Sequence, residues 1–199
     1  MVSCRSTHGG LKSKTYVATK KGKIYLRHNS IHEDVPIVIA LKALGIQSDK
    51  EILLLTAGCT PSYTSAFSSN LEEAAKLGVF TKHQALEYIG SRVKVNRRTI
   101  GPRRPAWEEA MEALATIVLA HVPVDVGVGG VEFKGKAIFV ATMTRRVLMA
   151  MEDEKMVDDR DYVGNKRLEL YVISFCSWKA CLMDLQGGTT TRVIIRRSL

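Results

Sequence analysis

The sequence predicts an α+β fold, a mostly helical domain with a β-hairpin near the N-terminus. Three observations carry this reading. Two β-prone runs, Thr15 to Thr19 and Ile24 to His28, flank a short polar connection that contains a glycine, which signals a hairpin. From Val35 to Met151, apolar residues recur at helical spacing between capping residues and glycine stops. A hydrophobic content of 46% beside 25% charged residues is that of an ordinary globular protein, and 199 residues suffice to bury a substantial core.

A net charge of +9 points to an anionic partner, of which nucleic acid is the commonest and an acidic protein face the alternative. The cysteines Cys4, Cys59, Cys176 and Cys181 are scattered without a CxxC pair. With no apolar leader over Met1 to Gly10, they read as free thiols of a soluble protein in a reducing compartment. No stretch reaches the eighteen or so apolar residues that a membrane span needs.

The hairpin connection, Lys20-Lys21-Gly22-Lys23, concentrates three lysines at its tip. They either reach for phosphates or keep the turn solvated. Val35-Pro36 then opens an apolar segment, Ile37 to Leu44, closed by Gly45, which fits a short buried helix. Ser48 and Glu51 have capping-box spacing ahead of Ile52 to Leu55. The Ser- and Thr-rich residues 59 to 70 read as a loop with at most a helical turn near Tyr63 to Phe67. A short helix over Leu71 to Leu77, capped by Asn70, follows. Thr81 and Gln84 form a second capping box before Ala85, Leu86, Ile89 and Val93.

From Arg92 to Pro105 the chain is basic and broken by Gly101-Pro102 and Pro105. Arg97, Arg98, Arg103 and Arg104 make this loop the second candidate nucleic-acid contact beside Lys20, Lys21 and Lys23. A protein-partner contact or plain solvation would account for it as well. Trp107 to Ala120 reads as a helix with Glu108 and Glu109 in its first turn, favourable to the dipole. The glycine cluster Gly127 to Gly130 matches neither a dinucleotide nor a P-loop pattern and reads as a flexible connection. Lys136 to Met151 is apolar around much of its circumference and is expected to be a central helix, with Arg145-Arg146 at its polar edge.

No enzyme can be assembled from these residues. There is no GxSxG elbow, and the five histidines offer no zinc spacing on a helix. Asp158, Asp159 and Asp161 could hold a divalent cation, but Arg160 lies among them and Lys166 and Arg167 follow, so an ion-paired junction accounts for them without a metal.

Several stretches carry a family resemblance. Lys23 to Asn29, Glu33 to Ile39, Lys42 to Gly45, Gln84 to Gly90, His121 to Val124 and Arg145 to Leu148 resemble the second-largest subunit of eukaryotic DNA-directed RNA polymerase III. Val157 to Leu170 is the most specific match. The resemblance runs from about residue 5 to residue 170 and implies a lobe domain over 1–150 and a junction returning to the neighbouring protrusion over 151–170. Asp158, Asp159, Arg160, Asp161, Asn165, Lys166 and Arg167 would fix that chain crossing. Residues 171–199 depart from the family pattern and are expected to be a divergent tail, disordered or mis-packed.

The resemblance further implies a nuclear fragment that scaffolds a polymerase and borders its downstream DNA cleft, with no catalytic centre or cofactor of its own. Magnesium and nucleotidyl transfer would belong to the parent complex. Implied partners are the largest subunit, a heterodimer resembling the initiation factor TFIIF, and duplex DNA. The competing expectations are a free-standing basic nucleic-acid-binding module and a truncated product without function.

Overall fold

The computed structural model describes residues 1–8, 11–94, 104–127, 130–157 and 192–195. It is α+β, as expected. Strands β1 (Val2–His8), β2 (Leu11–Lys20), β3 (Lys23–His28) and β4 (Val35–Pro36) form an antiparallel sheet in the order β4-β3-β2-β1. The β2–β3 hairpin runs from Thr15 opposite His28 to Lys20 opposite Lys23. Its two turn residues, Lys21 and Gly22, have φ of 53° and 77°, the mirror-image turn whose twist suits a tight hairpin. The first strand, β1, has no counterpart in the expectation. It continues the hairpin with Val2, Cys4 and Ser6 facing the core.

Helix α1 (Ile37–Ala43) is buried along its whole length, because it is wedged among the sheet, α3, α4 and α6. Even Lys42 is buried, and its ammonium reaches Asp49 at 2.9 Å and the Val79 carbonyl at 3.3 Å. Helix α2 (Asp49–Thr56) follows, but Ser48 makes no side-chain capping bond, so the expected first capping box does not form. Its hydroxyl stays exposed, where water competes for it, while Asp49 turns to the buried Lys42.

The larger correction concerns residues 59 to 77. In place of a loop and a short helix there is one helix, α3 (Pro61–Lys76), with proline at its first turn. Asn70 does not cap it. The side chain is buried mid-helix, and its carbonyl oxygen accepts the Ile24 backbone N–H at 2.7 Å. Burial of Phe67, Asn70 and Ala74 outweighs the poor helix propensity of the serines and threonines.

Helix α4 (Lys82–Gly90) forms its capping box as expected, with Gln84 N–H donating to Thr81 Oγ1 and Thr81 N–H donating to Gln84 Oε1. Helix α5 (Ala106–Thr116) begins directly against Gly90, where a Cβ would collide with the Ala106 carbonyl. Glycine is therefore required for this crossing. The helix stops short of the expected Ala120, and Leu119 turns the chain at φ 49°. The carbonyls of Leu114, Ala115 and Val118 are collected by the buried Lys136 ammonium at 2.6, 2.8 and 2.7 Å. Burial lowers this lysine's pKa to about 8.

The glycine cluster, expected to be a flexible connection, has its ends Gly127 and Gly130 in two paired strands, β5 (Asp125–Gly127) and β6 (Gly130–Glu132), while Val128 and Gly129 lie outside the described residues. Pairing of Val126 with Val131 is what the glycine count concealed. Helix α6 (Lys134–Glu152) is central, as expected, and touches α1, α2, α3, β1 and β2. A single apolar cluster from Val2 to Leu148 joins helices and sheet. Among the described residues, no helix is long and apolar enough to cross a membrane. Of the tail, only Arg192–Ile195 lies among the described residues. It forms strand β7, antiparallel to β1 at the sheet edge.

Candidate nucleic-acid interface

The hairpin tip is less open than its composition suggests. Lys20 lies 3.7 Å from Asp34, and Lys23 lies 3.3 Å from Glu73 of α3. Lys21, forced to positive φ by the turn, pairs with no acid among the described residues. Asp34 is also held by Arg27, whose guanidinium donates to both carboxylate oxygens at 2.7 and 2.8 Å. That bidentate bond is the main reason the Asp34 carboxyl sits below the usual carboxylate range. Glu73 accepts the Tyr25 hydroxyl at 2.9 Å. Burial, with Glu73 beside it, pushes that phenol up to about 12.

Residues 29 to 34 tie this tip to the root of the basic loop. His32 N–H donates to the Arg92 carbonyl at 2.9 Å and Lys94 N–H to the Ser30 carbonyl at 2.8 Å. Glu33 receives Arg92 at 2.8 Å, while the Arg92 guanidinium lies 3.7 Å from the centre of the Tyr88 ring. The Lys94 ammonium donates to the Asn29 carbonyl at 2.7 Å. Lys20, Lys21, Tyr25, His32, Glu33 and Asp34 line one open depression of about 530 Å³ beside the hairpin tip. The sequence treats tip and loop as separate. The structure places the tip and the loop's first residues on the two sides of one acidic turn.

His28 anchors that turn from beneath. Its Nδ1 accepts the Ser30 N–H at 3.1 Å and contacts the Ser30 hydroxyl at 2.6 Å. Burial, with Lys94 nearby, lowers its pKa to about 4, so the ring is neutral near pH 7.

Arg104 is turned the other way, to Glu112 of α5 at 2.9 Å. Arg97, Arg98 and Arg103 lie outside the described residues, as do Asp158, Asp159, Arg160, Asp161, Asn165, Lys166 and Arg167. Arg92 and Lys94 belong to the basic loop the sequence reading offered as a contact, whereas Arg27 is a contributor it did not name. The alternation of β3, which turns Arg27 outward beside buried Leu26 and His28, was the available signal for it.

Among the described residues no three His, Cys, Asp or Glu side chains group as metal ligands. Cys4 is buried, and burial pushes its thiol up to about 11, whereas Cys59 is exposed. The arrangement offers cations, ion-paired acids and a stacked arginine, a set suited to contact with a polyanion.

An α+β domain with a basic rim fits the nucleic-acid machinery in general, and comparison with known families makes this specific. Residues 1–169 match the family described as RNA polymerase Rpb2, domain 2, and the chain belongs to that family. It is 59% identical over 165 residues to the DNA-directed RNA polymerase III subunit RPC2 of Schizosaccharomyces pombe, covering 83% of this chain and 14% of that protein. To the subunit RPC2 of Saccharomyces cerevisiae it is 56% identical over 165 residues, with the same coverage of 83% and 14%. To that of Drosophila melanogaster it is 47% identical over 173 residues, covering 85% and 15%. The chain thus spans about one seventh of the length of these relatives. These matches support a segment of an RNA polymerase III second subunit, as the resemblance implied.

Proposed function

We propose that this chain serves DNA-templated transcription as a scaffold and DNA-cleft element of RNA polymerase III, within its second-largest subunit. The observation that carries the reading is 59% identity to a polymerase III subunit over 83% of the chain. The proposed partners are the other subunits, including the largest and a TFIIF-like heterodimer, and duplex DNA near the downstream cleft. The basic rim formed by the hairpin tip, Arg92 and Lys94 is the proposed DNA-facing element, acting in the nucleus. In this reading the chain has no catalytic centre. Nucleotidyl transfer and its magnesium belong to the assembled enzyme.

Epitope-tagged chain, expressed in cells and affinity-purified, tests the assignment. Co-purification of polymerase III subunits is expected, and the purified chain alone should incorporate no nucleotide. Recovery of the chain without polymerase subunits, together with tight salt-sensitive DNA binding in isolation, would instead favour a free-standing binding module.

A further inference from the structure

The solvent face of the sheet carries basic residues beyond the rim, which it meets at the β3 margin through Lys20, Lys23 and Arg27. Strands β1, β2 and β3 contain six lysines and arginines, Arg5, Lys12, Lys14, Lys20, Lys23 and Arg27, and no aspartate or glutamate. All six alternate with the buried Val2, Cys4, Thr15, Val17, Ile24 and Leu26, so all occupy the outward face. At the β3 margin the charge is offset by Asp34 and Glu73.

Further across the sheet, no such offset is present at Arg5 and Lys14 among the described residues. Arg5 is the register partner of Lys14 on one side and of Arg192 on the other. Arg5 and Lys14 are exposed, and neither pairs with an acid among the described residues. Like charges directly opposite one another destabilise a ladder, and an anion laid across them relieves that repulsion. Tyr16 follows on the same face, two residues from Lys14 and opposite Arg27, and is only half-buried.

We infer that this face binds a single-stranded nucleic acid, with Arg5 and Lys14 contacting phosphates and Tyr16 stacking a base. A row of cations beside an aromatic platform is how single strands are held without sequence preference. An acidic peptide would use the cations but give Tyr16 no role. The inference goes beyond the duplex contact proposed for the rim and rests on different residues, so either can fail alone.

The test is fluorescence anisotropy of the full chain with a labelled oligothymidine single strand, a duplex and a polyglutamate peptide, across a salt series. Arg5→Gln/Lys14→Gln is expected to weaken single-strand binding about tenfold or more and to flatten the log–log salt slope by about 1.4, two phosphate contacts' worth. Lys50→Gln/Lys76→Gln, an equal charge change on the helices, should have a much smaller effect. Tyr16→Leu should weaken the single strand more than the duplex. Equal losses from the two double variants would overturn the inference. So would polyglutamate binding as tightly as the single strand, or absence of single-strand binding by the unaltered chain. Co-purification with polymerase subunits is untouched by any of these outcomes.

Discussion

His28 shows how much a single buried side chain decides. Its ring is held neutral by burial and by Lys94, with Nδ1 committed to the Ser30 N–H. The folded-state pKa of about 4 lies below the ordinary 6.5. Between these values the unfolded chain takes up a proton that the folded chain refuses. Stability contributed by this residue is therefore full above pH 6.5 and is lost as pH falls towards 4, by about 3 kcal/mol at most. Urea unfolding of the wild type and of His28→Gln at a series of pH values checks this. The variant should lose most of the slope in that window, leaving a smaller one from His121, which burial and Lys136 also lower. An unchanged slope would remove His28 from the account. None of this was legible in the sequence, where His28 is one more residue at the end of a β-prone run. Lys136 was equally hidden, because a lysine at the head of an apolar helix looks like a solvated end until three carbonyls of α5 close around it.

At the scale of elements, local chemistry was legible where a segment's own residues satisfy its backbone. The hairpin turn and the Thr81–Gln84 box formed as expected, since each needs partners only a few residues away. The Ser48–Glu51 spacing looked the same in sequence but makes no side-chain capping bond. The two sites predict different costs. Thr81→Ala should lower stability by about 1 kcal/mol, while Ser48→Ala should change it by only a few tenths. Paired thermal unfolding curves decide the matter, and equal losses would contradict the distinction. Helix α3 marks the limit of local reading. Its Ser/Thr-rich first half looks like a loop, yet Asn70 bonds to Ile24 across 46 residues of sequence and Phe67 is fully buried. Long-range packing of this kind leaves no periodic signature strong enough to overrule composition.

Across the whole molecule, the hydrophobic core among residues of described burial runs from Val2 to Leu148, while β7 pairs with β1 at the strand edge and also meets α6. A chain ending at residue 170 keeps this cluster and should still unfold cooperatively. Its β1 amides, left at an open edge, should exchange hydrogen faster and the protein should self-associate more readily. Hydrogen exchange and light scattering on the two lengths test this, and unaltered β1 protection would show that β7 contributes no edge cover. The sequence by itself determined the family, the α+β class, most helices and the basic character of the chain, because these rest on residue identity and on spacings within a few turns. The tertiary structure alone decided which charges remain open. Lys20, Lys23 and Arg27 are met by Asp34 and Glu73, whereas Arg5 and Lys14 are left facing each other, and ion pairing depends on which distant segments the fold brings within a few ångströms.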